Sequence, residues 1–320
     1  SFLMGWANYN FLRYRFKSGS CQIISLIDLG ESDRGLDRKM FFIGIILILW
    51  NLAVGMLKPY IIRTSFLFFV SNKYVMELGI LGPEDHDVFG QVADVLEDRD
   101  VSVDFLSPET YHSPDDLEAY DGIFLKKSRK PGFQTLRDAE REGIPTFNGF
   151  RTHMKTNHNP GSYWHLEQEG LEVPEGSSEG LEGDTVVKPR TETMREEPWR
   201  EYGPKTDINH FYQRFIENGG IDYKLYVTDL PDKTTVRAIS ADSKLLYDQD
   251  DRTPVETDAE IQEIGERCIK AFDARILGID LIRPDSGTYV VDINAAPSYR
   301  GTDDEAVLAD SLEAFLYDEF

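Results

Sequence analysis

The sequence predicts an α/β unit over residues 76–150, followed by a mixed α+β region over 151–320. Within 76–150, short apolar runs alternate with helical stretches, which is the βαβ pattern of a parallel sheet. Near the end of the chain, the apolar runs Ile276 to Ile282 and Thr288 to Ile293 flank a Pro-Asp-Ser-Gly turn, as in a β-hairpin. Asp258 to Phe272 repeats its apolar residues at helical spacing. These observations indicate both helices and strands throughout residues 76–320.

The charge of the chain is strongly negative and unevenly distributed. The 320 residues carry a net charge of −23. Residues 1–75 contain nine Lys/Arg and four Asp/Glu, so the remaining 245 residues carry −28. Such an acidic surface repels phosphates and argues against nonspecific nucleic-acid binding. It is typical of salt-loving cytoplasmic proteins, although an ordinary acidic protein remains the alternative. Cys21 and Cys268 indicate neither a disulfide framework nor a metal cluster.

The first 75 residues differ in character from the rest of the chain. Residues 40–57 form an uncharged run of 18 residues, MFFIGIILILWNLAVGML, which just reaches the length of a transmembrane helix. It is either a membrane anchor or part of a segment that the mature protein lacks. We favour a start at Met76, because the charge balance changes sign there and a strand begins. An anchor would also place the remainder of the chain outside the cytoplasm by the positive-inside tendency. We therefore expect a cytoplasmic protein, with a membrane tether only if residues 40–57 are a genuine anchor.

Residues 76–150 read as four strands and two helices. The strands are expected at 77–81, 101–106, 122–125 and 144–147, and the helices at 87–96 and 132–142. The cluster Lys126-Lys127-Ser128-Arg129-Lys130 follows the third strand at its carboxyl end, where open α/β sheets bind ligands. This cluster either steers an anionic substrate or forms a solvated basic loop.

Residues 151–320 continue with a helix over 152–169 and a strand that ends at Lys188. The stretch 190–200 contains no glycine. Further strands are expected at 211–216 and at 234–240. Another strand is expected to begin at Asp222, with Lys224, Tyr226 and Thr228 on one face that contacts solvent. Helices are expected at 258–272 and 304–316, on either side of the hairpin.

Three polar residues interrupt the otherwise apolar hairpin. Asp280 lies on its first strand, and Asp292 and Asn294 share a face of its second strand. Two carboxylates and an amide oxygen suit a hard cation such as Mg²⁺. The alternative is that these side chains simply alternate outward on a half-solvated hairpin.

The pattern Gly278-Ile-Asp-Leu followed by Tyr289-Val-Val-Asp-Ile-Asn-Ala-Ala-Pro297 resembles the metal-binding signature of the ATP-grasp superfamily, in its RimK-like carboxylate–amine ligase form. The resemblance covers roughly residues 76–320. It implies a small parallel-sheet domain before two α+β lobes that bind ATP and Mg²⁺ (or Mn²⁺). It also implies that Asp280, Asp292 and Asn294 hold the metal. Asp292 stands where the family usually has Glu.

The same resemblance implies roles for further residues. Lys155 and Lys188 would contact the ATP phosphates, the segment Gln213 to Ile216 would meet adenine through its backbone, and Asp222 would bind the ribose. Lys224, Arg237 and Arg300 would act on phosphate or substrate. The adenine segment contains Gln213, Arg214, Phe215 and Ile216.

Two departures leave the predicted function open. The family usually has a glycine-rich loop after the strand of Lys188, whereas residues 190–200 offer only side-chain donors such as Arg190, Thr191 and Arg195. Lys224 replaces the usual Arg. The implied activity is ATP-dependent joining of a small-molecule or peptide carboxylate to an amine. The alternatives are a small-molecule kinase of the same fold, such as the inositol-phosphate kinases, and a weakly active ATP-binding module.

Overall fold

A computed structural model describes residues 75–191, 198–203, 207–243, 245–247 and 252–317, together with two strands nearer the N-terminus. The chain divides between Lys73 and Tyr74 into two units. In the first unit, β1 (Arg13–Lys17) pairs antiparallel with β2 (Ser20–Ser25). Residues 40–57, the possible anchor, lie outside the described residues. Among the helices that are described, none combines the length and apolarity needed to cross a membrane.

The second unit begins with a four-stranded parallel sheet of order β4-β3-β5-β6. Helix α1 places Val88, Phe89, Val92 and Leu96 on its buried face, and this spacing explains why it packs on the sheet. The elements in chain order are β3 (Met76–Leu81), α1 (Asp87–Glu97), β4 (Val101–Leu106), α2 (Pro114–Leu117), β5 (Gly122–Leu125), α3 (Lys130–Arg141) and β6 (Thr146–Phe147). The predicted parallel α/β unit is confirmed.

The helix expected over 152–169 is two helices, α4 (Phe150–Asn157) and α5 (Asn159–Gln168). The chain leaves helical conformation at His158, whose φ and ψ are −111° and 96°. Pro160 has no N–H to donate to the preceding turn, so a continuous helix would lose a hydrogen bond there. The His158 Nδ1 accepts from the Gly161 N–H at 3.1 Å and begins the second helix instead. The prediction of one helix was wrong.

A four-stranded antiparallel sheet follows, with the order β7-β10-β8-β9. Its central strands carry the buried residues Val187 and Tyr212 and pair in register, Tyr212 opposite Val187. Its strands are β7 (Gly176–Ser177), β8 (Asp184–Pro189), β9 (Trp199–Tyr202) and β10 (His210–Arg214).

The last sheet has five antiparallel strands in the order β13-β12-β11-β14-β15. One face is covered by α6 (Ala259–Phe272), whose Ile261, Ile264 and Cys268 pack with Leu225 and Val227 of β11 in one core cluster. The strands are β11 (Ile221–Leu230), β12 (Lys233–Asp242), β13 (Arg252–Val255), β14 (Ile276–Ile282) and β15 (Tyr289–Asn294). The last two are the hairpin seen in the sequence.

The C-terminal helix α7 (Glu305–Leu316) joins the parallel sheet to the five-stranded sheet in a shared core. That core contains Leu78 and Phe124 from one sheet, Tyr226 from the other, and Leu312 from α7. Residues 76–150 therefore hold a fixed position relative to the hairpin.

The buried side chain of Asn148, just after β6, reinforces this junction. Its Nδ2 donates to the carbonyls of Ile276 and Ala295, both at 2.7 Å. Its Oδ1 accepts from the N–H groups of Arg275 at 2.7 Å and Ile276 at 3.4 Å. Its φ of 51° is a left-handed conformation that Asn tolerates better than most residues. One side chain thus ties β6 to the start of β14 and the end of β15.

Candidate functional site

Strand pairing brings the polar residues of the hairpin together. Asp280 lies directly opposite Asp292, and Gly278 lies opposite Asn294. On the other side of β14, Lys224 of β11 lies opposite Asp280. Residues that face each other across antiparallel strands share one face of the sheet. Lys224, Asp280 and Asp292 therefore form one row across three strands, with Asn294 in the next row.

Two lysines pair with the two carboxylates of this row. The Lys224 Nζ lies 3.1 Å from the Asp280 Oδ2. The Lys188 Nζ, at the end of β8, lies 3.5 Å from the Asp292 Oδ1 and donates to the Val291 carbonyl. The Lys188 side chain is 7% exposed and that of Asp292 is 34% exposed. Lys188 and Lys224, both expected on the phosphate side, are thus in direct contact with the residues expected to hold the metal.

Burial and charge act against each other at this row. Burial raises the pKa of Asp292, the charge of Asp280 raises it further, and Lys188 only partly compensates. For Lys224, burial lowers the pKa, but the attraction and hydrogen bond of Asp280 outweigh burial and raise it. The ionised form of Asp292 is therefore costly in the fold, and a further cation beside it would stabilise that form.

The donor set fits a hard divalent cation that also takes oxygen ligands from a bound anion. The part of the chain that the structure describes holds no cluster of three or more His, Cys, Asp or Glu placed to bind a metal. The hairpin instead offers two carboxylates and the Asn294 Oδ1, which accepts the Ala296 N–H at 2.8 Å and retains a second lone pair. Mg²⁺ commonly binds one or two carboxylates together with phosphate oxygens.

Several known proteins are similar to this chain in sequence or in fold. Residues 179–310 match the RimK-like ATP-grasp domain family. The fold is similar to that of a RimK domain ATP-grasp protein from Sphaerobacter thermophilus, with a TM-score of 0.60, 14% identity, and coverage of 75% of this chain and 99% of that one. It is also similar to the ATP-grasp ligase PsnB, whose structure contains a precursor variant, Mg and ADP, with a TM-score of 0.57, 17% identity, and coverage of 76% and 100%.

One curated relative is a kinase. A stretch of 102 residues is 28% identical to an inositol hexakisphosphate and diphosphoinositol-pentakisphosphate kinase of Caenorhabditis elegans, which covers 29% of this chain. The chain spans 8% of the length of that relative. The domain match and the structural neighbours together confirm the predicted ATP-grasp fold.

The expected adenine-binding segment of the ATP-grasp domain lies at the end of β10. Gln213 is buried within the strand. The Arg214 N–H donates to the Glu175 carbonyl at 2.7 Å, and the Phe215 N–H donates to the Asp184 carbonyl at 3.0 Å. Both N–H groups are therefore already used in hydrogen bonds within the protein.

Asp222, the expected ribose acceptor, is half-buried at the start of β11. Burial raises its pKa, opposed by a hydrogen bond from the Asn218 Nδ2 at 3.0 Å. It lies two residues from Lys224 on the same strand, so the two side chains point to the same face of the sheet.

Lys155 does not meet Lys188 or the hairpin carboxylates. Its Nζ donates to the Ala271 carbonyl at 3.1 Å, at the C-terminal end of α6. Asn159, which the sequence did not single out, contacts the end of β8 instead. Its Nδ2 donates to the Pro189 carbonyl at 2.7 Å, next to Lys188. The Asn-Pro pair at a helix start was the available signal for this residue.

Arg237 and Arg300, which were expected with Lys224 to act on phosphate or substrate, lie beyond the row, toward α7 and α1. The Arg237 Nε donates to the buried Asp304 at 3.0 Å. The half-exposed Arg300 lies 3.4 Å from Asp87, the first residue of α1. Tyr226 and Thr228 share the face of Lys224 but are buried by Tyr299, so the expectation that this whole face is wet was wrong.

Lys126, from the basic cluster, also reaches this region. It is 8% exposed, and its Nζ donates to the Ala296 carbonyl at 3.1 Å, two residues after Asn294. Arg129 pairs with Glu109, away from the hairpin, and Lys130 is exposed as the first residue of α3. The sequence identified the cluster, but the structure distinguishes its inward member from the others.

Proposed function

We propose that the chain is an ATP- and Mg²⁺-dependent ligase that joins a carboxylate to an amine. The observation that supports it best is the row of Lys224, Asp280 and Asp292 with Lys188 beside it, within a RimK-like ATP-grasp domain. The row combines the two carboxylates that a metal needs with two cations suited to phosphate oxygens.

In this proposal the carboxylate oxygen attacks the γ-phosphorus and ADP leaves. The amine then attacks the carbonyl of the acyl phosphate, inorganic phosphate leaves, and the amine releases a proton. Asp280, Asp292 and Asn294 would hold Mg²⁺, which neutralises phosphate charge when bound. Lys188 and Lys224 would exchange their carboxylate partners for phosphate oxygens. Asp222 would accept hydrogen bonds from the ribose, and Ile216 would contact adenine.

Hydroxylamine trapping tests the chemistry, because hydroxylamine converts an acyl phosphate into a stable hydroxamate. The full chain would be incubated with ATP, Mg²⁺, hydroxylamine and a panel of amino-acid and peptide carboxylates, and both ADP and hydroxamate would be measured. We expect both products in equal amounts for at least one carboxylate, and neither product from Asp280→Asn. ADP release without hydroxamate across the panel would contradict a ligase.

The second candidate is a small-molecule kinase, favoured by the similarity to the inositol-phosphate kinase and by the basic cluster. Transfer to a hydroxyl would give one ADP per phosphorylated product, need no amine and yield no hydroxamate. The same assay with inositol phosphates in place of carboxylates separates the two. The third candidate, a weakly active ATP-binding module, predicts MgATP binding with neither product.

A further inference from the structure

A group of positive charges lies beside the ATP-grasp row, in a unit that is otherwise strongly acidic. Lys126 extends from the carboxyl end of β5 and its Nζ lies 5.1 Å from the centre of the Phe89 ring, in the first turn of α1. Arg300 reaches the same turn through Asp87. Residues 76–320 carry a net charge of −28, so the positive charges of Lys126 and Arg300 stand out from the acidic remainder of this unit.

Lys126 carries a buried charge with little compensation. Its Nζ bonds to a backbone carbonyl, and within the described ranges no carboxylate pairs with it. Buried charges are normally paired with an opposite charge. Burial and the positive charges of Arg300 and Lys127 lower its pKa to about 8. His86 caps α1, and its pKa is lowered to about 4, chiefly by burial and then by the positive charges of Lys126 and Arg300. The fold therefore holds Lys126 and Arg300 close enough to act on the same groups, and Asp87 pairs with Arg300.

Side-chain contacts connect this cluster to the row of the proposed nucleotide site. Tyr226 lies two residues beyond Lys224 on β11, and its hydroxyl is 3.4 Å from the Ser298 Oγ. The Arg252 guanidinium contacts the same Tyr226 hydroxyl at 3.3 Å and the Arg300 carbonyl at 3.4 Å. Ala296, the partner of Lys126, follows Asn294 by two residues. An anion held between Lys126 and Arg300 would lie next to the reacting phosphate of the proposed site.

We propose that Lys126 and Arg300 bind an anionic group of the acceptor substrate, a carboxylate or a phosphate, and so select acceptors that carry a second negative charge beside the reacting group. This rests on the proposed function, because it places the acceptor against the nucleotide row. Lys126 supplies a desolvated point charge, and the exposed Arg300 supplies a planar fork suited to carboxylate or phosphate oxygens. A neutral acceptor would leave the charge of Lys126 uncompensated.

The test is calorimetric titration of the full chain, without nucleotide, with inorganic phosphate and separately with glutarate. Lys126→Met preserves side-chain length at a buried position, Arg300→Gln alters a half-exposed one, and Lys130→Gln is the matched control from the same cluster. We expect at least one of the two anions to bind, with at least tenfold weaker affinity in Lys126→Met and in Arg300→Gln and unchanged affinity in Lys130→Gln. The arm that binds identifies phosphate or carboxylate as the recognised group.

The variant Lys224→Met shows whether the anion binds at the proposed nucleotide row instead of at Lys126 and Arg300. Retained anion binding in this variant supports the proposal, whereas loss in Lys224→Met with retention in Lys126→Met and Arg300→Gln would overturn it. No binding of either anion to the wild type would also overturn it. MgATP titration of the same variants is a separate measurement, so failure of the proposed nucleotide site and failure of the acceptor site give different results.

Discussion

Replacement of Asn148 offers a sharp test of how the parallel sheet is fixed to the hairpin. Asn148 makes three hydrogen bonds of 2.7 Å and one of 3.4 Å. All four go to backbone groups, which belong to Arg275, Ile276 and Ala295. Each net hydrogen bond contributes about 1 kcal/mol, and unmet buried groups cost more. Glycine at this position accepts the φ of 51° without strain. We therefore expect Asn148→Gly to lower the free energy of unfolding by about 2–4 kcal/mol.

Asn148→Asp separates the two donor bonds from the two acceptor bonds. The new carboxyl would keep the acceptor oxygen but aim its other oxygen at two carbonyls, so its pKa in the folded state would rise. An acid with a raised folded pKa favours folding at low pH, and that contribution is lost as pH rises through the folded pKa. The deficit of Asn148→Asp relative to wild type should therefore grow between about pH 4 and pH 8.

The assay is denaturant unfolding of the full chain, followed by circular dichroism, with Asn209→Gly as the control. Asn209 is exposed, so replacement of its side chain should change stability by less than about 0.5 kcal/mol. Wild-type stability in Asn148→Gly, or a deficit in Asn148→Asp that does not vary with pH, would refute this account of the junction.

Two further predictions concern charge. Burial, then Lys126 and Arg300, lower the pKa of His86 to about 4, so its contribution to stability is complete above its ordinary value of 6.5 and is lost as pH falls from 6.5 toward 4. His86→Asn keeps a capping acceptor, and its unfolding free energy should depend less on pH in that window; identical slopes would contradict this. Raising KCl from about 0.1 to 1 M shortens the screening length from about 10 to 3 Å, so the melting temperature should rise because the net charge of −23 repels itself. An unchanged melting temperature would show that repulsion among the negative charges does not limit the stability of the protein.

The hairpin could be predicted from sequence because its signals are local. Alternating apolar residues and a Pro-Asp-Ser-Gly turn set the strands, and a spacing of two residues placed Asp292 and Asn294 on one face. The direct pairing of Asp280 with Asp292 agrees with that reading. The parallel sheet was predictable for the same reason, since each strand and helix carries its own periodicity.

Other features depend on strand order and packing, which no local pattern contains. The contact of Lys224 with Asp280 requires β11 to lie beside β14, although 56 residues separate the two side chains. Asn148 reaches across 127 residues to Arg275, and Lys126 across 170 residues to Ala296. The break at His158 had a local signal in Asn159-Pro160, which the prediction of a single helix over 152–169 did not use. Arg195, the possible phosphate donor, lies outside the described residues.

Binding of MgATP to the full chain in molar KCl, measured by calorimetry, tests the proposed site most directly. Asp280→Asn and Asp292→Asn each remove one carboxylate from the row while nearly preserving side-chain shape. We predict binding that requires Mg²⁺ and that weakens at least tenfold in each variant. Failure of the folded wild-type protein to bind MgATP, or binding of equal strength in both variants, would contradict the assignment of this row as the nucleotide and metal site.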